Sequence, residues 1–201
     1  MNDIPKEIME LGKPVSFKRG KHIYNNGQII SKCYLIINGK VKIYIDHSNG
    51  RRSIIDFATS GNWLGELSIY SQEIDVKENK VLTDTSCLEF DIKKIRELTK
   101  SNTKVSNYFA QHLTNKLVER SKRMSESLSF PLEVKLARFI LEHQEQGKYM
   151  ISHSDASEYF NVSYRHVLLV ISKLCRKGYI NKQNKYLISD FKGLKALALI
   201  E

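Results

Sequence analysis

The sequence predicts an α+β chain: an all-β N-terminal half, a long central helix and a C-terminal winged helix-turn-helix. Gly20, Asn26-Gly27, Asn38-Gly39, Asn49-Gly50, Gly61 and Gly65 punctuate the first ninety residues, with short runs of β-formers between them. The pattern then changes abruptly, because no glycine falls between Gly65 and Gly147 and the only proline in that interval is Pro131. In the last third the elements read helix, helix, turn, helix, hairpin, which is the order of a winged helix-turn-helix.

In the N-terminal half, residues 34–37, 41–45 and 53–57 are the clearest strands. Val41-Lys42-Ile43-Tyr44-Ile45 alternates apolar with polar residues, and Asn49-Gly50 leads into a second run at 51–57. Asn-Gly readily takes the positive φ angles of a tight hairpin turn. Short strands with a turn every 8–12 residues or so favour a sandwich or barrel over a parallel sheet.

Residues 91–100 read as a short helix and 103 to about 127 as a long one. Along the latter, Ala110, Leu113, Leu117, Arg120 and Met124 recur at three- and four-residue steps. So narrow a stripe on so long a helix is a coiled-coil-like seam, facing either a second copy of the chain or the β unit. Pro131 marks the next boundary, being well placed at the start of a helix. Leu132, Leu136, Phe139 and Ile140 then define one buried face. A helix at 154–160, a turn at 161–163 and a helix at 164–177 follow, ended by Gly178. Strands at 179–181 and 186–188, around Lys182-Gln183-Asn184-Lys185, complete the pattern.

Composition narrows the function. The chain has 201 residues, with 32 Lys and Arg against 22 Asp and Glu. That length suits one large domain or two modest ones. Its longest apolar runs, 167–171 and 196–200, hold five residues each, against the roughly 20 needed to cross a bilayer. The N-terminus lacks the apolar stretch of a signal peptide, so a cytoplasmic protein with no membrane partner is expected. Cys33, Cys87 and Cys175 lie 54 and 88 residues apart, which offers neither a disulfide framework nor a metal knuckle. Buried thiols are the expectation, with no metal and no cofactor. Between residues 159 and 189 there is no acidic residue, while Arg165, Lys173, Arg176, Lys177, Lys182 and Lys185 all fall there. Such a run points to a polyanionic partner.

On a wheel of about 100° per residue, Val167, Val170, Ile171 and Leu174 form the packing side of the helix at 164–177. The other side carries Arg165, Leu169, Ser172 and Arg176, flanked by His166 and Lys173. Ser163 is a good N-cap, and Tyr164 stands where a first turn would approach bases or phosphates. Arg165 can pair bidentately with guanine, and Leu169 can touch a thymine methyl. Arg176, Lys173, Lys182 and Lys185 lie farther on and suit phosphates. Taken alone, the wheel favours DNA binding, with a merely solvated charged face as the alternative.

The words around that face add to the reading. ASEYFNVSYRHV at 156–167, continued by LLVISKLCRKGYI to residue 180, resembles the helix-turn-helix of the Crp/Fnr transcription regulators. SFPLEVKLARFIL at 129–141 and SYRH at 163–166 resemble the YeiL-like branch of that family. FKRGKHIYNNG at 17–27, YLIINGKVKIY at 34–44 and GNWLGELSI at 61–69 are similar to its cyclic-nucleotide-binding roll. The resemblance implies a jelly-roll sensor domain over residues 1–100, a dimerisation helix over 101–128 and a winged helix-turn-helix over 129–201. It also implies a homodimer on a palindromic operator, with double-stranded DNA and RNA polymerase as partners and no catalysis.

The pattern breaks at the effector pocket. Trp63, Gly65, Glu66 and Lys77 are the residues such a pocket would draw on. In cyclic-AMP-binding relatives the Gly-Glu pair contacts ribose and an Arg-Ser/Thr pair grips the phosphate; here Asp75-Val76 stands at the latter position. An aspartate repels phosphate, and Lys77 or Lys80 lacks the arginine fork. The reading preferred from the residues is that Glu66 closes a turn and Trp63 fills the roll, with no response to cyclic AMP and an unidentified effector, if any. Three cysteines exclude a four-thiolate cluster within one chain; an oxidation-sensitive Cys33 or Cys87 is an alternative. His22, His47 and His112 have no context that marks a haem ligand. Tyr164, Arg165 and Leu169 replace the Arg-Glu and later Arg of the best-known members, so a TGTGA-type half-site is not expected. A cupin-like enzyme would need clustered histidines that the N-terminal half lacks. A regulatory module acting through protein partners is the competing reading.

Overall fold

The computed structural model describes residues 4–71, 77–183 and 185–199. Asp75-Val76, Asn184 and Ile200 lie outside them. Contacts divide the chain into two units, Met1–Leu117 and Val118–Glu201.

The first unit opens with α1 (Lys6–Met9), β1 (Lys13–Phe17), β2 (Lys32–Asn38), β3 (Val41–Asp46) and β4 (Arg52–Ala58). After β5 (Trp63–Leu64) come a 3-10 turn (Glu66–Ile69), β6 (Glu78–Val81), β7 (Thr85–Asp91) and α2 (Ile92–Ser101). All strand pairs are antiparallel, in two sheets ordered β1-β7-β2-β5 and β4-β3-β6. Val41, Ile43 and Val81 from one sheet meet Tyr34, Ile36, Leu64 and Cys87 from the other in one buried cluster. β3 departs from simple alternation: Val41, Lys42, Ile43 and Tyr44 are all buried. The Asn49-Gly50 turn also differs from the tight type expected. Gly50 takes a positive φ of 78°, Asn49 does not, and the turn closes through His47 N donating to Arg51 O at 2.8 Å. One left-handed residue suffices in this longer loop, whereas a two-residue type I′ turn needs two.

α3 spans Thr103–Ser129, and the division between the units falls inside it. Its first turns belong to the first unit, where Val105 and Phe109 are fully buried with Trp63, Phe90 and Ile95. The ring centroids of Trp63 lie 4.9 Å from Phe90 and 5.2 Å from Phe109.

The second unit continues with α4 (Leu132–His143), β8 (Gln144–Glu145), β9 (Lys148–Tyr149), α5 (His153–Phe160) and α6 (Tyr164–Arg176). β10 (Ile180–Lys182), β11 (Tyr186–Ile188) and α7 (Phe191–Ala198) complete it. β8, β9 and α7 are not legible in the sequence as read above. The first two strands have two residues each, too short for periodicity, yet β9 pairs with β11 and extends the wing to four strands ordered β10-β11-β9-β8. Arg138 ties this unit together: it caps α7 by donating to Ala198 O at 2.6 Å, pairs with Glu126 at 3.0 Å and stacks on Phe130.

Phe109→Ala removes the ring that docks the start of α3 against Trp63. It is expected to lower the unfolding free energy of the first unit by about 3–5 kcal/mol in chemical denaturation. A loss within about 0.5 kcal/mol, the range of an exposed position, would contradict that docking.

Candidate nucleic-acid interface

Local chemistry sets where α6 begins and ends. Ser152 Oγ caps α5 by accepting from Asp155 N at 3.0 Å. Asn161 ends α5 in the left-handed region at φ 52°, a conformation Asn tolerates. Ser163 Oγ then accepts from His166 N at 3.2 Å, satisfying an otherwise orphaned donor at the start of α6. At the far end Gly178 is left-handed, Tyr179 N donates to Leu174 O and Gly178 N to Cys175 O. That is a Schellman closure.

Val167, Val170, Ile171 and Leu174 are buried, which leaves the other side of α6 outward. Ser163, Tyr164, Arg165, His166, Leu169, Ser172, Lys173 and Arg176 are all exposed, as are Lys182 and Lys185 of the wing. β10, which carries Lys182, packs beside α6. His153, which was not singled out above, packs its ring 6.2 Å from Tyr164 and 5.3 Å from Tyr186. Burial and, next, the Lys182 cation push its pKa down. Only tertiary packing reveals it.

The cations are not equivalent. Lys173 and Lys177 both reach Glu133 of α4, Lys177 at 2.8 Å. Lys173, expected at a phosphate, is therefore engaged by a carboxylate that the sequence places 40 residues away. Burial pushes the Glu133 carboxyl up, but the ammonium hydrogen bonds from Lys173 and Lys177 hold it below its ordinary value. Among the described residues Arg165, Arg176, Lys182 and Lys185 make no ion pair.

Trp63, Gly65, Glu66 and Lys77 differ in their surroundings. Trp63 has no exposed surface, and its Nε1 donates to Tyr108 Oη at 2.9 Å; it is core, because its indole fills the space between β7 and α3. Gly65 is left-handed at φ 78°, and a Cβ there would run into Tyr24 Oη. Glu66 is 4% exposed; Lys116 Nζ donates to its Oε1 at 2.5 Å, and His112 Nε2 lies 3.9 Å from the same oxygen. Lys77 is half-buried at the edge of β6. His22 bonds Tyr44 Oη, and His47 bonds Ser53 Oγ.

On α3 the exposed line is rotated from the expected seam. Ala110, Leu117 and Met124 are exposed, but Leu113 and Arg120 are half-buried. The outward row runs Ala110, Thr114, Leu117, Ser121, Met124 and Leu128, in alternating steps of four and three, with Val118 beside it. The physical reason is that residues three and four apart both lie near one face, so spacing alone leaves two neighbouring rows open.

Cys33 and Cys87 are buried, and Cys175 is half-buried. Burial pushes all three thiols up, Cys87 to about 11. The thiolate is the reactive form, so burial disfavours reaction at these sulfurs. Among the described residues no cluster of three or more His, Cys, Asp or Glu could hold a metal ion, and no helix is long and apolar enough to cross a membrane.

Comparison with known proteins matches two family models: a cyclic nucleotide-binding domain over residues 14–102 and a Crp-like helix-turn-helix domain over 134–197. Regulatory protein YeiL of Escherichia coli O157:H7 is 32% identical over 179 residues, covering 89% of this chain and 82% of that protein. A CRP-like cAMP-activated global transcriptional regulator of Mycobacterium tuberculosis is 23% identical, covering 92% of this chain and 89% of its own. Among solved structures, a putative transcriptional regulator of the crp/fnr family from Eubacterium rectale superposes with a TM-score of 0.81 at 17% identity, covering 96% of this chain and 92% of that one.

With a maleimide probe on the native protein, Cys175 is expected to label while Cys33 and Cys87 stay protected until denaturant is added. Fast native labelling of Cys33 would contradict its burial.

Proposed function

The chain belongs to the Crp/Fnr family of transcription regulators and carries its helix-turn-helix DNA-binding domain, and from that premise we propose that it works as a homodimer on a palindromic operator without responding to cyclic AMP. The observation that carries the reading is the outward face of α6, where Tyr164, Arg165 and Leu169 stand exposed beside a buried apolar side. Arg165 and Leu169 read base edges, while His166, Ser172, Arg176, Lys182 and Lys185 hold phosphates. Residues 1–100 serve as the sensor roll, 101–128 as the dimerisation helix and 129–201 as the DNA-binding domain. RNA polymerase is the further partner, in the cytoplasm, and the chain catalyses no reaction.

The dimer rests on α3. Leu117, Val118, Met124 and Leu128 are 66%, 63%, 70% and 82% exposed in the single chain. Such a row of exposed apolar side chains suits the matching helix of a second copy. The lack of a cyclic AMP response rests on the roll. Glu66, where the family resemblance puts a ribose contact, is engaged by Lys116. Asp75-Val76, outside the described residues, offers no cationic fork for a cyclic phosphate.

Arg165→Ala is expected to weaken binding to a genomic site selected by the wild type by about 5- to 150-fold, the equivalent of one bidentate base contact, in a fluorescence-anisotropy titration. Unchanged affinity would move the reading to a module that acts through protein partners. Leu117→Asp with Met124→Asp is expected to give monomers in sedimentation velocity and to abolish operator binding. Cyclic AMP is expected to produce no heat in calorimetry and no change in operator affinity; micromolar binding would overturn that part.

A further inference from the structure

We infer that Glu133 acts as a built-in competitor for DNA phosphate, withholding Lys173 and Lys177 from the duplex and so limiting the affinity of the recognition helix. The inference rests on the DNA-binding reading above and concerns how strongly that site binds. Two ammonium groups one helical turn apart on the α6 side converge on one carboxylate, Lys173 on Oε2 and Lys177 on Oε1. This is an anion site with each carboxylate oxygen bound by one lysine, and its occupant belongs to the protein.

The arrangement has little value as a staple. Lys173 and Lys177 side chains are 49% and 43% exposed against 14% for Glu133, and half-exposed ion pairs add little stability. Its effect on a polyanion is larger. Of the six cations between residues 159 and 189, these two meet the carboxylate, and that stretch has no acid of its own to do the same. A phosphate has to outcompete Glu133 for their donors. The carboxylate also repels any phosphate within a Debye length, about 8–10 Å. Both lysines sit on long stems with freely turning donors, so a released ammonium can swing to a backbone running past α6.

The test uses full-length protein, a genomic duplex selected by the wild type and a scrambled duplex of equal length, titrated from 50 to 200 mM NaCl. Glu133→Gln is expected to steepen the slope of log affinity against log salt by about one to two units on both duplexes, since each recruited phosphate contact contributes about 0.9. The loss of affinity across that range then grows by about 3.5- to 12-fold. A slope equal to or shallower than wild type overturns the inference. If Glu133→Gln fails to fold, Lys173→Ala with Lys177→Ala decides: withheld lysines cost less than about one unit of slope, and a loss of about one unit or more overturns the inference. Wild type that binds neither duplex removes the functional reading itself, which is a distinct failure.

Discussion

Four side chains of α6 cannot be left in water, and putting them away decides everything else the helix does. Val167, Val170, Ile171 and Leu174 are at most 8% exposed, each worth roughly 1.5–3 kcal/mol on burial. Turning α6 by one residue, about 100°, would exchange part of that set for His166, Leu169 and Lys173. The cost forbids it. Ser163, Asn161 and Gly178 reinforce the choice by fixing where the helix starts and stops. The outward side chains are consequently presented by a surface that cannot rotate away, which is what reading base edges requires.

In the first unit a buried charge has the corresponding role. Glu66 sits almost out of water in the 3-10 turn, and Lys116 supplies the opposite charge from α3. A buried pair adds little net stability, but removing one partner is costly, because the other is left uncompensated. The pair links the middle of α3 to the 3-10 turn without adding much net stability. Phe109 against Trp63 supplies the apolar attraction. The carboxylate is thereby engaged by the protein's own cation.

Charge is distributed with similar economy. A formal surplus of ten cations says little about a partner, whereas the acid-free stretch in the last third says more. Even that stretch is partly compensated, since Glu133 faces two of its lysines. Of the six cations in that stretch, Arg165, Arg176, Lys182 and Lys185 make no ion pair among the described residues, and they lie on the outward face of α6 and on the wing.

By itself the sequence determined the local elements: the helix from Tyr164, its Ser163 cap, its Gly178 stop, the apolar side of α6 and the antiparallel pair around Asn49-Gly50. These follow from periods of 3.6 and 2 and from residues with special backbone preferences, all of which act within a few positions along the chain. Tertiary structure alone decided that β9 joins β11, that His153 packs between Tyr164 and Tyr186, that Leu113 and Arg120 turn partly inward, and that Glu133 and Lys116 meet their partners. Each of those outcomes depends on which groups approach in space across large separations in sequence. Neither periodicity nor propensity carries that information, because an ion pair or a packed ring is satisfied by distance alone.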